Sequence, residues 1–251
     1  MARSFDEQAI YDVLSGTLLA GRLAPGAKLG EQALARLFGV TRERVRKVLH
    51  RLGHDRLIEV IANRGAFVAA PTLEEARRLY EARRIVEGGL AARLAERVTA
   101  AQLQAVRDHL QREERAHTRG DRAESIRLSG RFHTLLAEMS GNDLVLRQLQ
   151  ELVSRTAMLV AFFEAEAASD CGCDEHAAIV DALSRRDPAT ALQAMVVHLS
   201  LIETRLQPQQ VKAPDVDIEA ALRAAIRAHR RLATSGSSPA SRERSPRSAG
   251  R

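Results

Sequence analysis

Three histidines each fall on a different predicted helix in the C-terminal two thirds of the chain. They are His133, His176 and His198, in helices predicted over residues 121–140, 172–185 and 188–206. Neutral imidazole nitrogens are common ligands of zinc and nickel, so side chains that converge would form a divalent-metal site. Spacing alone does not bring three helices together. The alternative is that each histidine is a hydrogen-bonded polar residue at a helix-packing surface.

A second chemically distinctive group is a run of basic residues in a helix predicted over residues 42–53. One apolar stripe runs along this helix, so the basic side chains point outward. They are Arg42, Arg44, Arg46, Lys47 and Arg51. The three nearest the N-terminal end suit base edges, where an arginine can bridge O6 and N7 of guanine, and the other two suit phosphates. A solvated basic face on an ordinary helix is the competing interpretation.

The elements around this helix favour DNA contact. Helices are predicted over residues 6–20 and 31–38 before it. Two short β-prone runs follow it at residues 57–61 and 66–69, with the turn residues Asn63-Arg64-Gly65 between them. Two helices, a turn, a third helix and a β-hairpin form a winged helix-turn-helix, which makes the solvated face the weaker interpretation.

From Pro71 onward the chain is expected to be helical. Helices are predicted over residues 72–98, 100–118, 121–140, 142–164, 172–185 and 188–206. A further helix is possible over residues 217–232, and residues 234–251 are expected to be disordered. The predicted fold is therefore mainly α. It comprises an N-terminal winged helix-turn-helix with a small β-hairpin over residues 1–70, an all-α antiparallel helical bundle over residues 71–210, and a linker with a basic tail over residues 211–251.

The charge distribution divides the chain in a similar way. Residues 1–70 hold 11 Lys and Arg against 7 Asp and Glu, residues 71–220 hold 19 against 24, and residues 221–251 hold 8 against 1. A basic head and tail around an acidic middle indicate that the two ends, rather than the middle, meet a polyanion.

Composition argues against several other classes of protein. Apolar residues make up 45% of the 251 residues, which is enough for a core. No apolar run is long enough for a transmembrane helix, and the N-terminus lacks the apolar core of a secretory leader. Cys171 and Cys173 are the only cysteines, so a disulfide-stabilised secreted fold is not indicated. We therefore expect a cytoplasmic protein without membrane contact.

Several short motifs occur together within residues 10–70. They are Leu23-Ala24-Pro25-Gly26, Leu34-Ala35, Gly39-Val40-Thr41-Arg42, Val45-Arg46 and Asn63-Arg64-Gly65-Ala66-Phe67-Val68. In this combination the region resembles the DNA-binding domain of the GntR family of bacterial regulators. The resemblance implies base and phosphate contacts by Thr41, Arg42, Arg44 and Arg46, with Gly65 of the wing entering the minor groove. The predicted DNA-binding set also includes Gln32, where the family often has a basic residue, together with Lys47 and Arg64.

A second set of motifs lies within residues 72–206. It consists of Leu79-Tyr80-Glu81-Ala82-Arg83 with Glu87, Phe132-His133, Ser140-Gly141-Asn142, Asp174-Glu175-His176 and His198-Leu199. This region resembles the FCD domain, the all-helical effector domain of the FadR subfamily of GntR regulators. Many FCD domains bind a divalent metal through three histidines and an Asp or Asn. The histidines correspond here to His133, His176 and His198, and the fourth position, one turn before His133, holds Ser129.

Ser129 departs from the family pattern, because a serine hydroxyl is a poor metal ligand. Three histidines can still hold zinc with water or an effector in the open position, and a thiolate of Cys171 or Cys173 could substitute for the fourth ligand. Arg83 could form only an i, i+4 ion pair with Glu87. The resemblance implies instead that Arg83 clamps an effector carboxylate, which would suit a small organic acid.

Together these inferences predict a sequence-specific DNA-binding regulator of transcription, in the simplest case a repressor. A homodimer would bind a near-palindromic double-stranded DNA operator through two recognition helices. A small carboxylate effector, bound beside zinc or nickel, would change the affinity for the operator. The competing hypotheses are a metal-dependent enzyme of the helical bundle, for which no catalytic motif is found, and a non-specific architectural DNA-binding protein.

Overall fold

Three helices and a small antiparallel sheet form the N-terminal part of the chain in the computed structural model, which describes residues 5–165, 172–207 and 217–235. In chain order the elements are α1 (Glu7–Leu19), β1 (Lys28–Leu29), α2 (Glu31–Phe38), α3 (Arg42–His54), β2 (Ile58–Ile61) and β3 (Gly65–Val68). Gly39 ends α2 at a φ of 68°, and the Thr41 side chain caps α3 by accepting a hydrogen bond from the Arg44 amide. The predicted winged helix-turn-helix is confirmed.

The sheet has three strands, whereas the sequence predicted a two-stranded hairpin. β3 lies in the centre with β1 and β2 antiparallel on either side, and Leu29 of β1 is paired with Ala66 of β3. A strand of two residues is too short to show an alternating pattern, which explains why the sequence did not indicate it. The predicted turn is present, with positive φ at Asn63 (60°) and Gly65 (104°).

Six helices follow, and each lies within one residue of its predicted bounds at both ends. They are α4 (Leu73–Arg97), α5 (Ala100–Thr118), α6 (Arg122–Met139), α7 (Asp143–Phe163), α8 (Gly172–Ser184) and α9 (Pro188–Arg205). The fully buried Tyr80, Phe132 and Leu136 belong to the apolar core that these helices share. Among the described helices, none combines the length and the apolar composition that a membrane crossing requires.

The last described helix, α10 (Ile218–Ser235), packs against α1 rather than against the six-helix core. Ala221, Leu222 and Ile226 are buried in the same apolar core as the winged helix-turn-helix. The sequence predicted this helix over residues 217–232 but gave no indication of where it packs. Most of the tail that was expected to be disordered, residues 236–251, lies outside the described residues.

α1 also joins the two parts of the chain. It contacts α6 and α7, and the buried side chains of Ile126, Met158 and Ala161 on those helices belong to the N-terminal core. Gly21, just after α1, has a φ of 64°, and a Cβ atom there would lie only 2.8 Å from the Ala161 carbonyl oxygen. The backbones of the two parts are therefore in close contact at this point.

Candidate metal centre and nucleic-acid interface

The exposed side of α3 carries three of the eight predicted DNA-binding residues. Arg42, Arg46 and Lys47 are exposed, as are Thr41 at the start of the helix and Gln32 on α2. The opposite side of α3 is buried in the N-terminal core, and this burial fixes which side of the helix faces outward.

A carboxylate from α2 holds two of these arginines. Glu31 accepts two hydrogen bonds from Arg46, both of 2.9 Å, from Nε to Oε1 and from Nη2 to Oε2. Arg42 Nη2 lies 3.4 Å from the same Oε2 atom. The hydrogen bond from Arg46 is the main reason that the pKa of Glu31 lies below its usual value. Glu31 therefore ties the N-terminal ends of α2 and α3 together at one surface.

Arg44 differs from its neighbours because its side chain turns back toward the start of the chain. It is half-buried, and its Nη1 donates a hydrogen bond of 3.1 Å to the Phe5 carbonyl oxygen. The sequence predicted that Arg44 points outward to base edges. To reach a base, this guanidinium would have to leave the Phe5 carbonyl, so its role in DNA binding stays a prediction.

The turn of the wing exposes Arg64 and Gly65. The Arg64 guanidinium lies 5.7 Å from the centre of the Phe67 ring, and the ammonium group of Lys28 lies 5.9 Å from the same ring. Phe67 thus brings a basic residue of β1, which the sequence did not single out, next to the predicted wing contacts. Positive charge at this place suits a phosphate backbone.

The three predicted histidine ligands converge in the core of the helical bundle. Nε2 of His198 lies 3.2 Å from Nε2 of His176 and 3.2 Å from Nε2 of His133. All three side chains are buried, and they form a group whose ligand atoms could hold one metal ion. The structure therefore brings together residues from α6, α8 and α9, which the sequence could only propose.

Each of these imidazoles has its own carboxylate on the other ring nitrogen. Oε2 of Glu87 lies 2.5 Å from Nδ1 of His133, and Oε2 of Glu113 lies 2.8 Å from Nδ1 of His176. Oε2 of Glu175 lies 2.7 Å from Nδ1 of His198. A carboxylate accepts a hydrogen bond from Nδ1–H, and this tautomer leaves the Nε2 lone pair of every ring free to face the common centre.

The electrostatics of the site keep His133 and His198 neutral, and they keep Glu87 and Glu113 charged. Burial lowers the pKa of His133 to about 4, and burial together with the other two imidazoles holds the pKa of His198 well below its usual range. Burial by itself would raise the pKa of Glu87, but Arg83 and His133 outweigh it and bring that pKa to about 2. Hydrogen bonds from His109 and His176 likewise overcome the effect of burial on Glu113, whose pKa is about 2.

This donor set fits a divalent cation. A tetrahedral zinc ion with metal–nitrogen bonds of about 2.0–2.1 Å requires ligand nitrogens about 3.3 Å apart. The 3.2 Å separations between the Nε2 atoms are close to that value. Carboxylates behind metal-binding histidines orient the rings and raise their basicity. His133, His176 and His198 could thus hold one metal ion, with space left for a further ligand.

That space is a cavity of about 100 Å³, to which all six helices of the bundle contribute. Its volume is sufficient for several water-sized groups. Ser129, at the expected fourth-ligand position, lines the cavity, and so does Cys173. Burial raises the pKa of the Cys173 thiol to about 11, with further contributions from Glu113 and Glu114. Cys171 lies outside the described residues.

Arg83 and Tyr80 also line this cavity, each with an unpaired polar group. Arg83 Nε donates to Glu87 at 2.6 Å and Nη1 donates to Thr156 at 3.0 Å, which confirms the ion pair considered from the sequence. The Nη2 atom of Arg83 and the hydroxyl group of Tyr80 are buried and have no hydrogen-bond partner among the described residues. A buried donor without a partner is costly, so both groups favour a ligand that accepts hydrogen bonds.

Helix α7 connects this cavity with the DNA-binding part of the chain. Thr156 and Val160 line the cavity, while Met158 and Ala161 on the same helix belong to the N-terminal core. Val160 packs against both cores. Helix α7 therefore contacts both the cavity and α1.

Three residues that matter in these sites were not found from the sequence. Glu31 and Glu113 hold arginine and histidine side chains from other helices, and His109 Nε2 lies 3.1 Å from Oε1 of Glu113 and 2.9 Å from the Leu128 carbonyl oxygen. Glu87 and Glu113 lie as close to an imidazole as Glu175 does, although only Glu175 is next to a candidate ligand in the sequence. The sequence did not indicate the contacts of Glu87 and Glu113 because both residues are far from the histidines along the chain.

The comparisons with known proteins agree with both halves of this geometry. Residues 7–68 match the model of bacterial regulatory proteins of the gntR family, and residues 78–201 match the model of the FCD domain. The chain belongs to the gntR family of transcription regulators. Both matched regions of this GntR regulator end before α10 begins.

Two relatives and one solved structure illustrate the similarity. The HTH-type transcriptional repressor RspR of Escherichia coli (strain K12) is 26% identical over 198 residues, which cover 78% of this chain and 86% of RspR. The galactonate operon transcriptional repressor of the same strain is 28% identical over 225 residues, which cover 79% of this chain and 95% of that protein. The fold resembles that of E. coli McbR/YncC, with a TM-score of 0.64, 19% identity, and coverage of 80% of this chain and 95% of the other.

Proposed function

We propose that this GntR regulator is a repressor whose affinity for a double-stranded DNA operator is controlled by a small carboxylate bound at a metal in its FCD domain. The observation that carries the proposal is the cavity in which three Nε2 atoms converge beside the unpaired Arg83 Nη2 atom. The metal would be held by His133, His176 and His198 and would be zinc or nickel, the usual partners of neutral imidazoles. It would supply a Lewis-acidic centre for an oxygen ligand.

The cavity favours an organic acid as effector. A carboxylate can accept two hydrogen bonds from one guanidinium and fill a position beside the three histidines. The hydroxyl group of Tyr80 offers a further donor for a hydroxy, keto or sugar acid. A relative that is named for the galactonate operon, and thus for a sugar acid, is consistent with this class of ligand. Ser129 lines the cavity and would contact the effector rather than the metal.

On the DNA side we propose the residues that the sequence indicated. Gln32, Thr41, Arg42, Arg44, Arg46, Lys47, Arg64 and Gly65 would contact the operator, with the arginines at the start of α3 reading bases. The winged helix-turn-helix over residues 1–70 would bind DNA, and the bundle over residues 71–210 would sense the effector. A regulator of chromosomal operators acts in the cytoplasm, which is the compartment that we propose.

We also propose that the regulator is a homodimer. Leu192, Val197 and Leu201 on α9 are about 40% exposed, and Ile85 on α4 is 72% exposed. Between Pro188 and Ile202 the only ionisable residue of α9 is the buried His198, so the outer side of this helix lacks charge. An apolar, uncharged helix face is typical of an interface between subunits.

An enzymatic role is not proposed. The three carboxylates nearest the histidines, Glu87, Glu113 and Glu175, each engage an imidazole Nδ1 atom. This engagement assigns them to the orientation of ligands, and it leaves none of them positioned as a general base.

The test measures binding of the regulator to DNA from immediately upstream of its own gene, by fluorescence anisotropy, with zinc present and with a panel of hydroxy, keto and sugar acids. We expect at least one acid to change the DNA affinity by a factor between about 5 and 150. Arg83→Lys keeps a cation beside Glu87 but loses the unpaired Nη2 donor, so it should bind DNA and lose the response. No binding of the parent protein to the upstream DNA at moderate salt would refute the proposal.

Arg84→Gln is the matched control for this experiment. Arg84 follows Arg83 on the same helix and pairs with Glu203 at 2.5 Å, away from the cavity lining. This variant should keep both the DNA affinity and the response to the acid.

Treatment with a chelator should lower the melting temperature of the parent protein, and zinc or nickel should restore it, because a ligand of the native state stabilises that state.

A further inference from the structure

Helix α10 lies outside both family matches, yet it is part of the DNA-binding half of the molecule. The gntR match covers residues 7–68 and the FCD match ends at residue 201, while α10 begins at Ile218. Its apolar side is buried against α1 through Ala221, Leu222 and Ile226. Helix α10 is therefore held on the winged helix-turn-helix, and its orientation there is set by packing.

The outward side of α10 is basic. Its exposed charged residues include Arg223, Arg227, Arg230 and Arg231, and Glu219 is its only acidic residue. At 100° per residue these four arginines fall within about 100° of one another around the helix axis. Arg223 pairs with Glu219, and the four arginines together form a net positively charged strip that faces away from the buried apolar residues.

Phe5 places one end of this strip beside the recognition helix. The Arg230 guanidinium lies 5.2 Å from the centre of the Phe5 ring, and the His229 ring lies 5.8 Å from it. The carbonyl oxygen of the same Phe5 accepts the hydrogen bond from Arg44 in the first turn of α3. One residue thus separates α10 from the end of α3 that faces the base edges, and the arginine strip continues the basic surface of α3.

We propose that the arginine strip of α10 is a second DNA-contacting surface, which binds backbone phosphates beside the segment that α3 reads. This inference depends on the proposed binding of DNA by α3. Arg230 at the C-terminal end of the strip contacts Phe5, which in turn holds Arg44 of the recognition helix, so the arginines of α10 would meet the phosphate backbone beside that helix and add affinity without sequence preference. The partner is duplex DNA because the strip is continuous with the recognition surface.

The experiment uses full-length Arg227→Gln/Arg230→Gln protein and DNA from immediately upstream of the regulator's own gene. Affinity is measured against salt concentration, and hydroxyl-radical footprints are recorded. We expect the slope of log affinity against log salt to become less negative by about 0.9 for each phosphate that the variant no longer neutralises. Protection should disappear at the edges of the footprint and persist at its centre.

The control is Arg97→Gln/Arg107→Gln, which removes the same charge from exposed positions on α4 and α5. A salt slope and footprint for the α10 variant that match this control would overturn the proposal. So would a variant with unchanged DNA binding that no longer binds vesicles containing anionic lipid, since the strip would then serve a membrane. If the parent protein binds no upstream DNA, the proposed function itself fails, which separates the two failures.

Discussion

At the scale of single residues, the proposed metal centre depends on side chains that contact the candidate histidine ligands. Glu113 accepts hydrogen bonds from both His176 and His109, and it stays charged because these bonds outweigh the effect of burial on its pKa. Glu113→Gln should lower the affinity for zinc by about 10- to 100-fold, measured by competition with a chelating dye. Asp108→Asn changes an exposed carboxylate on the same helix, which pairs with Gln104 away from the cavity, and should leave the affinity unchanged. Equal affinities for the two variants would show that Glu113 does not position His176.

The recognition helix allows a second prediction at this scale. Arg46 is exposed, and Glu31 holds its guanidinium in a fixed orientation. Arg46→Ala should cost about 1–3 kcal/mol on the operator and relax the preference for one base pair, measured with a set of operator variants. Lys47→Ala should weaken binding to all sequences alike. If Arg46→Ala also weakens all sequences equally, Arg46 contacts phosphate and not a base.

At the scale of elements, the contact between α1 and α7 joins the two halves of the molecule. Gly21→Ala would force a side chain into a left-handed conformation and against the Ala161 carbonyl oxygen, which is 2.8 Å from the added atom. Left-handed backbone alone costs about 1–2 kcal/mol for a residue other than glycine. We expect a lower melting temperature and a weaker effect of the carboxylate effector on DNA binding.

Gly16→Ala is the matched control, because Gly16 lies inside α1 with no atom within 4 Å of the added carbon. Alanine there should stabilise the protein by about 0.5–1 kcal/mol, since glycine is a weak helix former. A Gly21→Ala protein that is as stable as the parent, with an unchanged effector response, would show that this contact does not couple the two halves.

At the scale of the whole molecule, the uncharged outer side of α9 predicts the oligomeric state. Val197→Arg/Leu201→Arg places two charges on that side and should convert a dimer into a monomer in sedimentation equilibrium. Leu144→Arg on α7 introduces a charge at a residue that is 67% exposed, and it should leave the dimer intact. A dimer that persists in the α9 variant would place the subunit interface elsewhere.

The sequence predicted much of this architecture because most of its determinants are local. Caps such as Thr41 and breakers such as Gly39 mark helix ends, and the sequence picked out the three histidines that converge in the structure. The two-residue strand at Lys28 left no pattern. The roles of Glu31 and Glu113 come from contacts with residues on other helices, and residue types far apart in the sequence do not show which helices meet. The packing of α10 on α1 could not be predicted for the same reason.

The position of α10 has a consequence for the order in which the molecule assembles during synthesis. Ile10 on α1 and Leu222 on α10 share one apolar core, although they lie near opposite ends of the chain. Domains usually fold as they leave the ribosome, with the N-terminal domain first. Here the winged helix-turn-helix cannot complete its core until α10 has been translated, and α10 follows the helical bundle in the chain. A nascent or truncated chain that lacks α10 would therefore have an incomplete winged helix-turn-helix. Operators would then be bound only by molecules that already contain the effector-binding bundle.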